Sequence, residues 1–352
     1  MFDKLVSGDR PQSRTLGAIL LLIALGLAFA PFLFPGTKSL DTAARISIFI
    51  VLVASYDLLL GYTGIVSFAH TMFFGIGAYG VALTLSAFGA SFAAIALGTL
   101  GGAALAGLLA LAIGLFSLRV KAIFFAMVTL AVASAFAVLA SQLSWLTGGE
   151  DGLTYRIPRA LTPAFRFADF RILDVRLDGR LLAYYLVFVS ATLLFLVLLR
   201  IVNSPFGRTL KAVRDNAFRA EAIGYRVVWY RTTASVLSAV VAALAGALLA
   251  IWLRYTGPAT TLSMEIMIDI LLMVVIGGMG TMYGAMIGAT LFVLAQTYLQ
   301  TLMGAAEKAT EALPLIPVLL APERWLLWLG VLFVLSVYFF PDGIVGRLRS
   351  RR

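Results

Sequence analysis

Ionisable side chains stand where an apolar chain should carry none. Asp57, His70, Glu265 and Asp269 lie within or beside long hydrophobic runs. A charge at membrane depth is costly, and by default it marks a solute path or a proton relay. Asp57, His70 and Asp269 together are the set a proton-coupled secondary transporter would use. The plainer reading has Asp57 and Asp269 capping or pairing helix ends, Glu265 at the interface, and His70 hydrogen-bonded in the interior. Tyr62, Thr63 and Ser67 add hydroxyls close to His70, so these four, with Asp57 and Asp269, are the candidates to line a path. No other chemistry gains support. The chain has no Cys and one His, and it lacks HExxH, Gly-x-Ser-x-Gly and phosphate-cradling Gly-x-x-x-x-Gly-Lys motifs. No catalytic residue, metal site or bound cofactor is therefore assigned, and a membrane-embedded enzyme is disfavoured.

The elements that position these residues follow from composition. Of 352 residues, 61% are hydrophobic and 12% charged, with a mean hydropathy of +1.00. Soluble domains are about half apolar and a quarter charged, so lipid is the solvent here. The apolar runs are continuous rather than alternating, which excludes an outer-membrane barrel. The chain reads as an all-α polytopic membrane protein forming one domain over residues 1–352. Ten spans are predicted, with eight to ten the allowed range: 16–34, 45–60, 73–89, 91–116, 122–145, 181–201, 231–253, 265–280, 283–303 and 324–340. The first could pass for a signal peptide, but its near-span length and Pro31 favour an uncleaved helix.

Charge orients the spans. Lys4, Arg10 and Arg14, then Arg119 and Lys121, the central basic segment, and the tail 341–352 with Arg347, Arg349, Arg351 and Arg352 all fall on one side. That side is expected to be cytoplasmic, with both termini on it. The net charge of +10 is explained by these loops, and nucleic acid is not a predicted partner. Residues 146–180 form the long outer, periplasmic loop. Two runs end in glycine clusters: Gly61-Tyr62-Thr63-Gly64 follows Asp57-Leu58-Leu59-Leu60, and Gly277-Gly278-Met279-Gly280 follows Asp269-Ile270-Leu271-Leu272. Broken or re-entrant helices of this kind line substrate paths in transporters, and the two acid-led runs hint at an internal repeat. Gly98-xxx-Gly102 and Gly280-xxx-Gly284-xxx-Gly288 predict close helix packing.

The segment 203–230 is polar, basic and helical in pattern, an ordered element suited to a cytosolic contact. It carries Arg208, Lys211, Arg214, Arg219 and Arg226, with Glu221-Ala222-Ile223-Gly224 near its end.

Several blocks resemble the membrane permease subunits of branched-chain amino acid ABC importers, of the LivM type. They are DLLLGYTGIVSFAHTMFFGIGAYGVAL (57–83), TGGEDGLT (147–154), NSPFGRTLKAVRDNAFRAEAIG (203–224), DILLMVVIGGMGTMYGAMIGA (269–289) and FPDGI (340–344). The resemblance implies an ABC importer permease fold in a bacterial inner membrane. It implies a LivH-like second permease, two cytoplasmic ATPase subunits that hydrolyse ATP, and a periplasmic substrate-binding protein. It also implies that 203–230 is the coupling segment, with Arg208, Arg214, Arg219, Glu221, Ala222 and Gly224 facing the ATPase. The implied cargo is leucine, isoleucine or valine. Relatives in the family move urea, short amides or aromatic acids, which stay as alternatives. Residues 304–324 are longer and more irregular than the family pattern.

Overall fold

The computed structural model describes residues 13–34, 36–117, 122–172, 175–310, 319, 321–340 and 343–350. The basic residues Lys4, Arg10, Arg119, Lys121, Arg351 and Arg352, and most of 311–320, lie outside them.

The apolar runs become helices. They are α1 (Arg14–Ala28), α2 (Thr37–Thr63), α3 (His70–Phe88), α4 (Phe92–Ser117), α5 (Ala122–Gln142) and α6 (Gly179–Val202). Two short helices follow, α7 (Pro205–Asp215) and α8 (Ala217–Ala222). Then come α9 (Val227–Leu253), α10 (Met264–Gly277), α11 (Met282–Ala309), α12 (Trp325–Phe339) and α13 (Gly343–Ser350). Among the described residues nine helices are long and apolar enough to cross a membrane, and α1 is a shorter apolar helix. The chain is a multi-pass, all-α membrane protein.

The central pair is α2 and α9. α9 packs on α2, α3 and α4, and α2 also contacts α6, α10 and α11. Backbones come close because side chains are missing where they cross. A Cβ at Gly77 would collide with the Ala243 carbonyl, and one at Gly246 with the Phe74 carbonyl. Gly98 and Gly102 meet α3 in the same way, at Gly80 and Gly77. α5, α6 and α12 present mostly apolar side chains outward, as lipid-facing helices must.

Several spans are longer than expected. α2 runs for 27 residues instead of stopping at 45–60. Its first turns carry Asp41 and Arg45, which lower the local hydropathy. There Trp252 Nε1 donates to Asp41 Oδ1 (2.8 Å), and Arg45 pairs with Asp41 (3.0 Å). The run 265–280 ends as a helix at Gly277.

The loop 146–180 opens on the TGGEDGLT block. The two-residue strand β1 (Leu153–Thr154) pairs antiparallel with β4 (Tyr255–Thr256), and a hairpin, β2 (Arg166–Ile172) with β3 (Val175–Asp178), follows. Tyr155 donates to the Ala250 carbonyl at 2.9 Å, tying this loop to the end of α9. Burial pushes the Tyr155 phenol above its usual range.

Candidate functional site

The two glycine-broken ends meet. α2 ends at Gly64, a left-handed C-cap (φ 72°), and the α10–α11 turn carries Gly280 at φ 80°. The Gly280 N–H donates to Asp57 Oδ1 at 2.8 Å. Gly61 lies between them, and a Cβ there would strike both Asp57 Oδ1 and the Gly280 backbone. Asp57 is 1% exposed. Its side chain fastens the last two turns of α2 to the α10–α11 turn.

The basic segment closes this joint from outside. Ser204 caps α7 through the Gly207 N–H (3.4 Å), and α7 buries Gly207, Leu210 and Val213. Lys211 and Arg214, three residues apart, share a face. Lys211 Nζ lies 4.9 Å from the Tyr62 ring centroid, a cation–π contact. The Arg214 Nη1 donates to the Gly61 carbonyl, at the C-terminal end of α2 where the helix dipole favours a cation. A Cβ on Gly280 would stand 2.8 Å from that same Nη1. The start of α13 packs here too: a Cβ on Gly343 (φ 73°) would collide with Gly278. The Gly277–Gly280 turn thus holds α2, α7 and α13 at once.

Beyond Arg214 the basic segment is not one helix. Asn216 ends α7 and caps α8, accepting the Arg219 N–H at 2.9 Å. α8 ends in a Schellman turn: Tyr225 N–H reaches the Ala220 carbonyl, Gly224 N–H reaches the Glu221 carbonyl, and Gly224 takes φ 98°. α8 is seated through Val213, Ala220 and Val227. Arg208, Arg219, Glu221, Ala222 and Gly224 are exposed. So are Phe218 (82%) and Ile223 (71%). Lys211 and Arg214, themselves exposed, reach back to the end of α2, while Phe218 and Ile223 form an apolar knob on a charged rim.

Of the path candidates, Asp57 and Tyr62 take part in this joint. Tyr62, Thr63, Ser67 and His70 are buried in the bundle. His70 Nε2 lies 2.9 Å from Ser55 Oγ and 3.3 Å from the Leu52 carbonyl. Ser55 Oγ also lies 2.7 Å from that same carbonyl. Ser55 is two turns above the end of α2, which places the start of α3 about 12 Å inside the basic face. Residues 64–69 run back non-helically to reach it. Ile65, Ser67 and Ala69 of this irregular backbone are buried, and the Phe68 N–H donates to Thr129 Oγ1 at 3.1 Å. Asp269 sits apart on α10, where it accepts from Gln296 Nε2 at 3.5 Å. Asp57 and Asp269 thus occupy unlike positions, one sealed at a helix end and one half-exposed in mid-helix.

Sequence reasoning singled out Asp57, Arg214 and both glycine clusters, but not Gly280 as the donor to Asp57, nor Lys211 over Tyr62. The three-residue spacing of Lys211 and Arg214 was the available signal for the latter.

Comparison with known proteins agrees with this architecture. The chain matches the family described as Branched-chain amino acid transport system / permease component over residues 39–336. It is similar to the high-affinity branched-chain amino acid transport system permease protein LivM of Salmonella typhimurium, 26% identical over 98% of this chain and 78% of that protein. The LivM of Escherichia coli is 25% identical over 95% and 75% respectively. The probable LivM of Methanocaldococcus jannaschii is 26% identical over 65% of this chain and 61% of that one. No solved structure matches. With the family match spanning most of the bundle and both glycine-broken ends inside it, the chain belongs to the branched-chain amino acid transport system permease family.

Proposed function

We propose that this chain is one permease subunit of an ATP-driven importer of leucine, isoleucine or valine in a bacterial inner membrane. Its basic face, with both termini, is cytoplasmic. It works with a LivH-like second permease, a periplasmic binding protein and two ATPase subunits that bind and hydrolyse the ATP. The observation that carries this reading is the basic segment. An exposed apolar pair, Phe218 and Ile223, rimmed by Arg219 and Glu221, is a docking knob for a soluble partner. Arg214 and Lys211 of the same segment grip the end of α2 beside the α10–α11 turn. Force on the knob thereby reaches the transmembrane helices as a rigid-body movement.

The test is co-purification. Replacing Phe218 and Ile223 with Ser removes the apolar knob without touching a buried contact. The ATPase subunits are then expected to be lost from the purified complex while the chain still inserts. Retention of the ATPases at wild-type stoichiometry would contradict the docking assignment.

A further inference from the structure

Among the largely uncovered spans, one is far more polar than the rest. In a lone membrane chain, the faces left uncovered should be the most apolar. α5 and α6 follow this rule: they are among the most apolar spans and are largely uncovered. α12 carries no charged residue at all. α3 is more polar and mostly buried. α11 does the reverse. It is the least apolar of the candidate spans among the described residues, yet less than half of it is buried.

The polar groups responsible form a stripe shared with α10. Asp269 is half-buried, with Gln296 donating to it across the helix pair. Gln300, exposed, lies one turn further along the same face as Gln296. Met264, Glu265 and Ile268 are exposed on α10 around Asp269. Asp269 lies eight residues before the end of α10, about 12 Å in from the basic face. Gln296 is near the middle of the 28-residue α11. A carboxylate therefore sits at mid-membrane on the outside of this chain. Among the described residues, Asp269 has one hydrogen-bond partner, an amide, and no Lys or Arg pairs with it. Lipid cannot supply what it lacks, since such groups face protein or water in membranes.

We infer that the α10–α11 stripe is the surface against which the second permease packs, and that its occupant there is a transmembrane helix presenting hydrogen-bond donors to Asp269 and Gln296. The argument is one of charge complementarity: a carboxylate, Asp269, on an uncovered face at membrane depth, with no Lys or Arg paired to it among the described residues, calls for donors opposite. The inference rests on the reading of the chain as one of a permease pair. It assigns the apolar outer faces of α4 and α12 to lipid.

The absence of cysteine from the chain makes the test clean. Single substitutions Ile268→Cys and Gln300→Cys on the stripe, and Leu108→Cys and Val334→Cys on the apolar faces, are made in the full complex in native membranes. All four are exposed positions, so folding is undisturbed. Each thiol is coupled to a maleimide–benzophenone probe and irradiated. From Ile268→Cys and Gln300→Cys, the chain should shift upward by the mass of the second permease, while Leu108→Cys and Val334→Cys should yield lipid adducts only. Lipid adducts alone from the stripe would overturn the inference, as would permease adducts from Leu108→Cys or Val334→Cys in their place. An adduct between two copies of this chain through the stripe would also overturn it. Purification of the untreated complex separates the two levels: if no second permease accompanies the wild-type chain, the underlying reading falls and takes the inference with it.

Discussion

At the scale of single residues, the joint between α2 and the α10–α11 turn turns on Asp57. Its carboxylate accepts the Gly280 N–H in a sealed site, and Gly61 exists as glycine because that approach leaves no room for a Cβ. Asn keeps an acceptor oxygen in the same place, whereas Ala leaves a buried N–H unpaired. An unsatisfied buried donor costs about 1–3 kcal/mol. Asp57→Asn is therefore expected to retain near-normal thermal stability in detergent. Asp57→Ala should lose roughly that amount, read as a lower midpoint for helix unfolding or aggregation. Equal midpoints for the two variants would mean that the bond to Gly280 does not hold the joint. The acid and both glycine clusters were visible in the sequence as the ends of two interrupted runs. Their meeting was not, because Asp57 and Gly280 are 223 residues apart and helix periodicity does not say which ends are neighbours.

At the scale of elements, the spans were legible from hydropathy and their ends were not. The window for α2 opened at residue 45 because Asp41, four residues earlier, looks like a loop residue. It is instead helical, held by Trp252 and Arg45. The start of α3 at His70 was likewise hidden, since only tertiary packing lets residues 64–69 run non-helically inside the bundle. Turn chemistry was legible: Gly224 stands near the end of the basic segment's helical pattern, and it takes φ 98° there. A β-branched residue at that conformation is strained by about 1–3 kcal/mol. Gly224→Val should reorient the end of α8, and with it Ile223, while leaving the spans intact. The expected result is normal membrane abundance, normal co-purification of the second permease, and ATP hydrolysis no longer matched by solute uptake. Uptake at the wild-type rate would show that the geometry of this turn is irrelevant to coupling.

At the scale of the whole molecule, the charge asymmetry and the helix order make one statement. Arg214, Lys211 and the start of α13 all meet on the face where α2 and α10 end, the face the basic loops would assign to the cytoplasm. A cysteine at the exposed position Asp215 should react with a membrane-impermeant maleimide only in inside-out vesicles. Labelling in intact cells with a permeable outer membrane would invert the topology and remove the basic segment from any contact with cytosolic ATPases. The path itself was the least legible feature. Hydroxyls near a helix break look like lining residues in a sequence, yet Tyr62, Thr63, Ser67 and His70 are packed among neighbouring helices in this chain. Asp269 is the path candidate that reaches the surface, and hydropathy alone could not place it on an uncovered face.

The most direct measurement is leucine uptake into proteoliposomes holding the purified chain, its second permease and the two ATPases, with binding protein added on the outer side and ATP inside. The account predicts accumulation that requires ATP hydrolysis and stops when the ATPases are omitted, whatever the pH gradient. Accumulation by this chain alone under a pH gradient, without nucleotide, would contradict it.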